Sequence, residues 1–320
     1  MPDVLFIKTS SLGDVIHHMP ALTEAKSRQP DTRFAWVVEE AFASLVRLHP
    51  AVDDVIPVAA RRWRRQLHRL STWRDIAAFR RALRVRRFDE IIDTQGLLLK
   101  SALIARYAQG RRRGYDRTSI KEPAASLFYD IQHKVAWNQH AIARNRLLTA
   151  EALGYVSEGP PDFGLDRARL AVPGRAPYGI LLHATAGSDK EWPEANWRML
   201  SAMLGTGIDL VVPFGTERER ERAVRIASAA PRARIPERAP LDEVARLVAG
   251  ASFVVGVDTG LLHLAAALGV PLVAIFCASE PGLTGPMGPG PIMVLGAKGA
   301  APSVAEVADA IKSLAPSGVT

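Results

Sequence analysis

The side chains best placed for chemistry in this sequence sit where a strand pattern gives way to a helix pattern. Phe253 to Val257 is a short apolar run rich in β-branched residues, as expected of a buried parallel strand. Asp258-Thr259-Gly260 follows with a helix-capping composition, and Leu261, Leu264, Ala265 and Leu268 then fall at helical spacing. The first N–H groups of a helix are unpaired and lie at the positive end of its dipole, so this turn favours an anion. His263 stands one turn in. An ordinary Asp cap beside a solvated histidine would leave the same pattern. A second turn, His183 to Lys190, runs from the strand Ile180 to Leu182 towards a helix that starts at Pro193. A third, Lys8 to Asp14, joins the strand Val4 to Ile7 to a helix with Val15, Met19, Leu22 and Lys26 on one stripe. It matches neither G-x-G-x-x-G nor a P-loop.

Alternating strands and helices are needed to hold such turns. Phe34 to Val38 and Val55 to Val58 read as strands, and Arg61-Arg62-Trp63-Arg64-Arg65 after them is the densest basic cluster. Arg74 to Arg87 reads as an amphipathic helix with Ile76, Phe79 and Leu83 inward. Ile91-Ile92 is a strand, and Asp93-Thr94-Gln95-Gly96 is another strand-end turn before a helix from Leu97. Arg111-Arg112-Arg113, between Gly110 and Gly114, is expected in a turn, and Asn138 to Leu153 in a long helix. Gly154 to Gly179, rich in Gly and Pro, reads as an interdomain connection. Alternation then restarts, with a strand at Ile208 to Val212, a helix at Leu241 to Ala249, a strand at Leu272 to Phe276 and a last helix through Val304, Val307, Ile311 and Leu314. Two such sets imply an α/β protein of two doubly wound, Rossmann-like domains with a central cleft between them.

The chain has 320 residues, 48% hydrophobic and 23% charged, within the range of soluble globular proteins. No apolar run is long enough to cross a bilayer, and no signal peptide is expected at the N-terminus. One cysteine, Cys277, excludes an internal disulfide, suits a reducing compartment and reads as a small core hydrophobe. The net charge of +8 is uneven: residues 1–150 carry +11 and the remainder −3. The basic half should attract a polyanion, whether nucleic acid, an anionic membrane surface or a phosphorylated substrate.

Seven blocks, in order, resemble the lipopolysaccharide heptosyltransferases of glycosyltransferase family 9. Ser11-Leu12-Gly13-Asp14, within Leu5 to Pro20, is similar to their Ser-x-Gly-Asp signature. Leu182-His183-Ala184-Thr185 with Lys190, Trp192 and Pro193 resembles their second motif, and Val257 to His263 their third. Val37 to Glu40, Arg61 to Arg64, Asp93 to Leu97 and Glu122 to Tyr129 point more narrowly to the heptosyltransferase I branch. The resemblance implies a GT-B fold and inverting transfer of heptose from ADP-heptose to the first Kdo of Kdo2-lipid A. ADP-heptose would be a substrate, with no cofactor. The enzyme would be a monomer, peripheral on the anionic cytoplasmic face of the inner membrane. An acceptor-binding domain is expected over 1–160 and a nucleotide-sugar domain over 176–300. Residues 301–320 are expected to form a helix packing back on the N-terminal domain.

Site roles follow from the resemblance. An inverting transfer needs a base on the acceptor hydroxyl and stabilisation of the departing diphosphate. Asp14 matches the base, with a plain helix cap as its alternative; its carboxylate would need burial to become basic enough. Lys190 suits the diphosphate as a catalytic cation. Thr185, Thr259, Gly260 and the following N–H groups suit its oxygens. Asp258 is assigned to the sugar hydroxyls or to orienting the loop. His263 is assigned to phosphate or sugar, with a structural histidine as the alternative. Glu219 is assigned to the ribose, and the family's second hydroxyl after Thr185 is here Ala186. Arg61, Arg62 and Arg64 suit the acceptor's phosphates and carboxylates, with Lys121 and His140 as weaker candidates. No metal is expected, since the chain has no Asp-x-Asp and its eight histidines are scattered. The competing readings are heptosyltransferase II or another ADP- or UDP-sugar transferase, and a non-enzymatic basic module binding nucleotide or nucleic acid. Against the last, stacking aromatics are not interleaved with the arginines, and no helix-turn-helix or zinc-finger spacing occurs.

Overall fold

Each half of the chain closes its own parallel sheet. The protein, described from a computed structural model over residues 1–174, 176–278 and 281–314, divides into two compact units, Met1–Gly164 and Leu165–Thr320. In the first, β1 (Asp3–Ile7), β2 (Arg33–Glu39), β3 (Asp54–Val58), β4 (Arg87–Asp93), β5 (Gln109–Tyr115) and β6 (Ile131–His133) lie in the order β3-β2-β1-β4-β5-β6, all parallel. In the second, β7 (Tyr178–Leu182), β8 (Asp209–Val211), β9 (Ala233–Arg234), β10 (Phe253–Val257), β11 (Leu272–Ile275) and β12 (Ile292–Leu295) lie in the order β12-β11-β10-β7-β8-β9, also all parallel. Read from its own first strand, each unit has the doubly wound order 3-2-1-4-5-6. The chain therefore reverses direction across the sheet between β1 and β4, and again between β7 and β10. The crevices at the carboxyl ends of these strand pairs are where such sheets bind ligands. The four strand-end turns picked out in the sequence are the loops that leave β1, β4, β7 and β10.

The central strands are apolar because both faces are covered. Val4 to Ile7, Ile180 to Leu182 and Phe253 to Val257 are all buried. In the second unit Trp192 and Trp197 meet edge to face, ring centroids 5.1 Å apart, and the Trp192 indole donates to the Pro302 carbonyl at 2.9 Å.

Several expectations are corrected. Arg111 to Arg113 lie in β5, not in a turn. Arg111 and Arg113 point to one side and both pair with Glu90 on β4, while Arg112 pairs with Asp130 at 2.6 Å, so each arginine of the strand has a neighbouring carboxylate. The helix from Leu97 begins as a wider turn at Leu98–Ala102 before the α-helix Leu103–Tyr107. The long helix spans Ala141–Leu153 and is capped by His140. The short strands β6 and β9 carry no sequence signal strong enough to read, whereas β12 is the apolar run Ile292 to Leu295 within a stretch rich in Gly and Pro. The last helix spans Val304–Leu314, and Val304, Val307, Ala308, Ala310 and Ile311 are buried in the second unit's own core with Trp192, Trp197 and Leu181. Its apolar stripe is already used there. Residues beyond Leu314 lie outside the described ones.

Candidate active site

In the second unit the loops after β7 and β10 are joined by one acidic residue. Asp258 follows β10 directly, and its Oδ2 accepts from the Lys190 ammonium at 2.7 Å. Its backbone carbonyl accepts from the Thr185 hydroxyl at 2.7 Å. His263, buried on the first turn of the helix Gly260–Ala267, has Nε2 3.8 Å from Asp258 Oδ1. Thr259 is the N-cap of that helix, in extended conformation. Thr185, Lys190, Asp258, Thr259, Gly260 and His263 thus share one switch point, with a cation, a helix N-terminus and hydroxyl donors together. The histidine is buried, not solvated. His183, fully buried at the head of the first loop, has its pKa lowered to about 4 by burial, with Arg222 opposing its charge as well. Glu219 acts as a helix cap: its Oε2 accepts from Gly215 N–H at 2.6 Å and Thr216 N–H at 3.2 Å, in a capping box.

In the first unit the loops after β1 and β4 are bound more tightly. Gln95 Oε1 accepts from the N–H groups of Thr9 (2.9 Å) and Ser10 (3.1 Å), and its amide donates to the Ser10 carbonyl. Lys8 is buried and donates to the Thr94 carbonyl at 2.9 Å. Burial lowers the Lys8 pKa, and the Asp14 and Asp93 carboxylates oppose that shift. Asp93 is fully buried beneath the loop, accepting from Tyr129 Oη at 2.7 Å, Gln95 N–H at 2.9 Å and Gly96 N–H at 3.1 Å. Burial raises its pKa, and these bonds pull it back. Two glycines make the arrangement possible. Gly96 has φ of +67°, a left-handed turn, and a Cβ on Gly114 would collide with the Tyr129 ring that reaches Asp93.

Asp14 sits at the third position of the helix Leu12–Arg28, half-buried, with Oδ2 accepting from Ser11 N–H (2.7 Å) and Ser11 Oγ (2.9 Å). It closes a capping box, so the cap that stood as its alternative role is present. Of the acceptor candidates, Arg61, Arg62 and Arg64 share the short helix Ala60–Arg65. Arg61 lies with its guanidinium 5.1 Å from the centre of the Phe42 ring, and its backbone N–H donates to Glu39. Arg62 is held between Glu40 (3.1 Å) and Asp75 (2.8 Å), which raise its pKa further. Arg64 and Lys121 are exposed. His140 accepts from Ile142 N–H and lies 5.4 Å from the His17 ring. Sequence reasoning gives no role to Lys8, Asp93, Gln95 and Tyr129, which hold the Asp14 loop, although Asp93 to Gly96 reads as a strand-end turn and Asp93 to Leu97 and Glu122 to Tyr129 are among the family-like blocks. It also passed over Arg144, whose guanidinium stacks on Trp137 (3.9 Å) and Tyr115 (4.9 Å) and whose pKa burial lowers. Among the described residues no group of three or more His, Cys, Asp or Glu is arranged to hold a metal ion.

Two doubly wound parallel units, each with polar strand-end loops at its switch point, are the architecture of a GT-B glycosyltransferase. The sequence matches the profile of glycosyltransferase family 9 (heptosyltransferase) over residues 76–312, and the chain belongs to that family. It is 49% identical over 294 residues to lipopolysaccharide heptosyltransferase 1 of Pseudomonas aeruginosa, a match spanning 89% of this chain and 81% of that relative. The structure of E. coli heptosyltransferase WaaC with ADP superposes with a TM-score of 0.92 at 41% identity, covering 98% of this chain and all of that one. The structure of E. coli WaaC with ADP-2-deoxy-2-fluoro heptose gives 0.86 at 40%, covering 97% and 98%. The protein is thus a glycosyltransferase of the heptosyltransferase kind.

Proposed function

We propose that this enzyme transfers L-glycero-D-manno-heptose from ADP-heptose to the first Kdo of Kdo2-lipid A in lipopolysaccharide inner-core synthesis, with inversion at the anomeric carbon. The observation that carries the reading is the meeting of Lys190, Asp258, Thr185 and the helix Gly260–Ala267 at one switch point, in a chain similar throughout to heptosyltransferases 1.

In this reading Asp14 takes the proton from the Kdo hydroxyl as the oxygen attacks the heptose anomeric carbon. The bond from that carbon to the diphosphate oxygen breaks and ADP departs. Lys190 and the first N–H groups after Thr259 stabilise the charge that develops on the leaving diphosphate. Asp258 aims Lys190 and receives sugar hydroxyls, His263 donates nearby, and Glu219 accepts from the ribose. Arg61, Arg62 and Arg64, with Lys121 and His140, face the acceptor's phosphates and carboxylates. Arg62 must exchange Glu40 or Asp75 for the acceptor to do so. The enzyme needs no cofactor or metal, is monomeric, and works on the cytoplasmic face of the inner membrane.

The test is an assay of ADP-heptose against UDP-glucose, with Kdo2-lipid A and its monoheptosylated product as alternative acceptors. Transfer from ADP-heptose to Kdo2-lipid A alone is expected. Transfer only to the heptosylated acceptor would favour heptosyltransferase II, and no transfer from either donor would reject the reading.

A further inference from the structure

The excess positive charge is concentrated in one place. Along the sequence, residues 60–87 hold eleven arginines against one carboxylate, Asp75, a net +10 within a half that carries +11, and carboxylates outside the segment pair with two of them, Glu40 with Arg62 and Asp3 and Asp54 with Arg86. ADP does not account for it, because the donor motifs lie in the other half. Nor is it simply a solvated basic face. The helix Leu70–Val85 turns Phe79 and Leu83 toward the first unit's core. On its outer side Leu70, Trp73, Ala77, Arg81, Arg84 and Val85 fall in a stripe about 120° wide. Leu70 is 78% exposed, Val85 82% and Trp73 55%, with Leu67 beside them at the preceding turn at 48%. A lone exposed leucine is ordinary, but a row of large apolar residues interleaved with arginines is not.

The turn is held in place for this display. The Trp73 indole donates to the Leu67 carbonyl at 2.9 Å, and the Thr72 hydroxyl to the Gln66 carbonyl at 2.8 Å. Further along, Ala77, Arg80, Arg81, Arg84 and Val85 line a shallow depression of about 370 Å³. Among the described residues no helix is long and apolar enough to cross a membrane, and this helix is too charged to do so. An amphipathic face with Trp and Leu among arginines has the composition of one lying in the plane of an anionic interface, apolar side chains among the acyl chains and guanidinium groups at the phosphates. A nucleic-acid backbone would satisfy the arginines and leave Leu67, Leu70 and Val85 in water.

We propose that the outer face of the helix Leu70–Val85, with Leu67, is the surface by which this enzyme docks on an anionic phospholipid bilayer. The inference deepens the membrane part of the proposed function and rests on a lipid acceptor for its purpose. The vesicles that test it carry no such acceptor, so the two fail separately.

The test compares the full-length protein with Leu70→Glu/Trp73→Glu and Arg81→Glu/Arg84→Glu. Co-sedimentation is measured with phosphatidylethanolamine/phosphatidylglycerol vesicles and with phosphatidylcholine vesicles at 0.1 M salt. Turnover is measured with a deacylated, water-soluble acceptor. The wild type should bind the anionic vesicles at least about tenfold better than the neutral ones, and each double variant should lose about tenfold or more. Turnover on the soluble acceptor should stay within about twofold, which also shows that the variants fold. Equal wild-type binding to both vesicles, or variants that bind as the wild type does, would overturn the proposal. So would displacement from the vesicles by a short DNA duplex at equal phosphate concentration, which would make the face a general polyanion site. Vesicle binding that persists in a protein with no sugar transfer would leave this inference standing and reject the function proposed above.

Discussion

Lys190 and Asp258, 68 residues apart in the chain, form an ion pair 2.7 Å long that ties the loop after β7 to the loop after β10. The lysine proposed for the diphosphate is therefore already held by a carboxylate. Holding it costs less side-chain freedom when nucleotide arrives, and the same carboxylate repels a diphosphate that the lysine does not neutralise.

That arrangement predicts a coupled pair. Lys190→Ala should weaken ADP about ten- to a hundredfold, the range expected for a charge-assisted bond of about 1.5–3 kcal/mol. It leaves Asp258 facing the nucleotide alone. The double variant Lys190→Ala/Asp258→Ala should accordingly bind ADP more tightly than Lys190→Ala. Calorimetric titration of the four proteins decides it. Losses that simply multiply in the double variant would show that the two side chains do not act together on ADP.

Gln95 should matter to both stability and turnover. Its side chain supplies acceptors to the Thr9 and Ser10 N–H groups and a donor to the Ser10 carbonyl. The next residue, Ser11, caps the helix with Asp14. Gln95→Ala strands these backbone groups at a cost of about 1–3 kcal/mol and should lower kcat with little change in the donor KM. Gln95→Glu keeps the acceptors and should fall between. Urea unfolding and steady-state kinetics check this, and unchanged values for Gln95→Ala in both would remove Gln95 from the account.

How much of this was legible in advance follows from what a sequence encodes locally. Asp258, Lys190 and Asp14 stand out because strand and helix periodicities meet beside them. The Lys190–Asp258 contact does not stand out, because strand order, not sequence spacing, makes β7 and β10 neighbours. Arg111 to Arg113 read as a turn since their partners, Glu90 and Asp130, are about twenty residues away on adjoining elements. Gln95 and Lys8 carry no local mark of function: their roles arise only when β1 and β4 lie side by side. The last helix shows its apolar stripe in the sequence, but only the packing shows that the stripe is buried in the second unit's core. Leu70, Trp73 and Val85 fit a helix wheel, but only packing shows that Phe79 and Leu83 already fill the inner face.

Acid should destabilise the first unit through His49. This residue is buried, its Nδ1 accepts from Ala51 N–H at 3.2 Å and its Nε2 lies 3.0 Å from Thr23 Oγ1. Burial pushes its pKa down to about 4 from the ordinary value of 6.5. The unfolded chain then binds a proton near pH 6.5 that the folded protein refuses until about pH 4. The stability is whole above pH 6.5 and declines as pH falls through that window, by about 3 kcal/mol in the limit. Denaturant midpoints measured from pH 7 to 4.5 should fall, and less steeply in His49→Gln. Parallel slopes for the two proteins would exclude His49 as a source of the acid sensitivity.

The central claim is that Asp14 is the base, and its capping role dictates the variant that tests it. Asp14→Ala would lose cap and carboxylate together. Asp14→Asn keeps an oxygen to accept from Ser11 N–H and removes only the basicity. With ADP-heptose and Kdo2-lipid A, kcat of Asp14→Asn should fall by about 10²–10⁴, the usual worth of a positioned general base, while ADP affinity and the unfolding midpoint stay close to wild type. A kcat within a few-fold of wild type would show that Asp14 is a helix cap alone, and the base would have to be sought elsewhere.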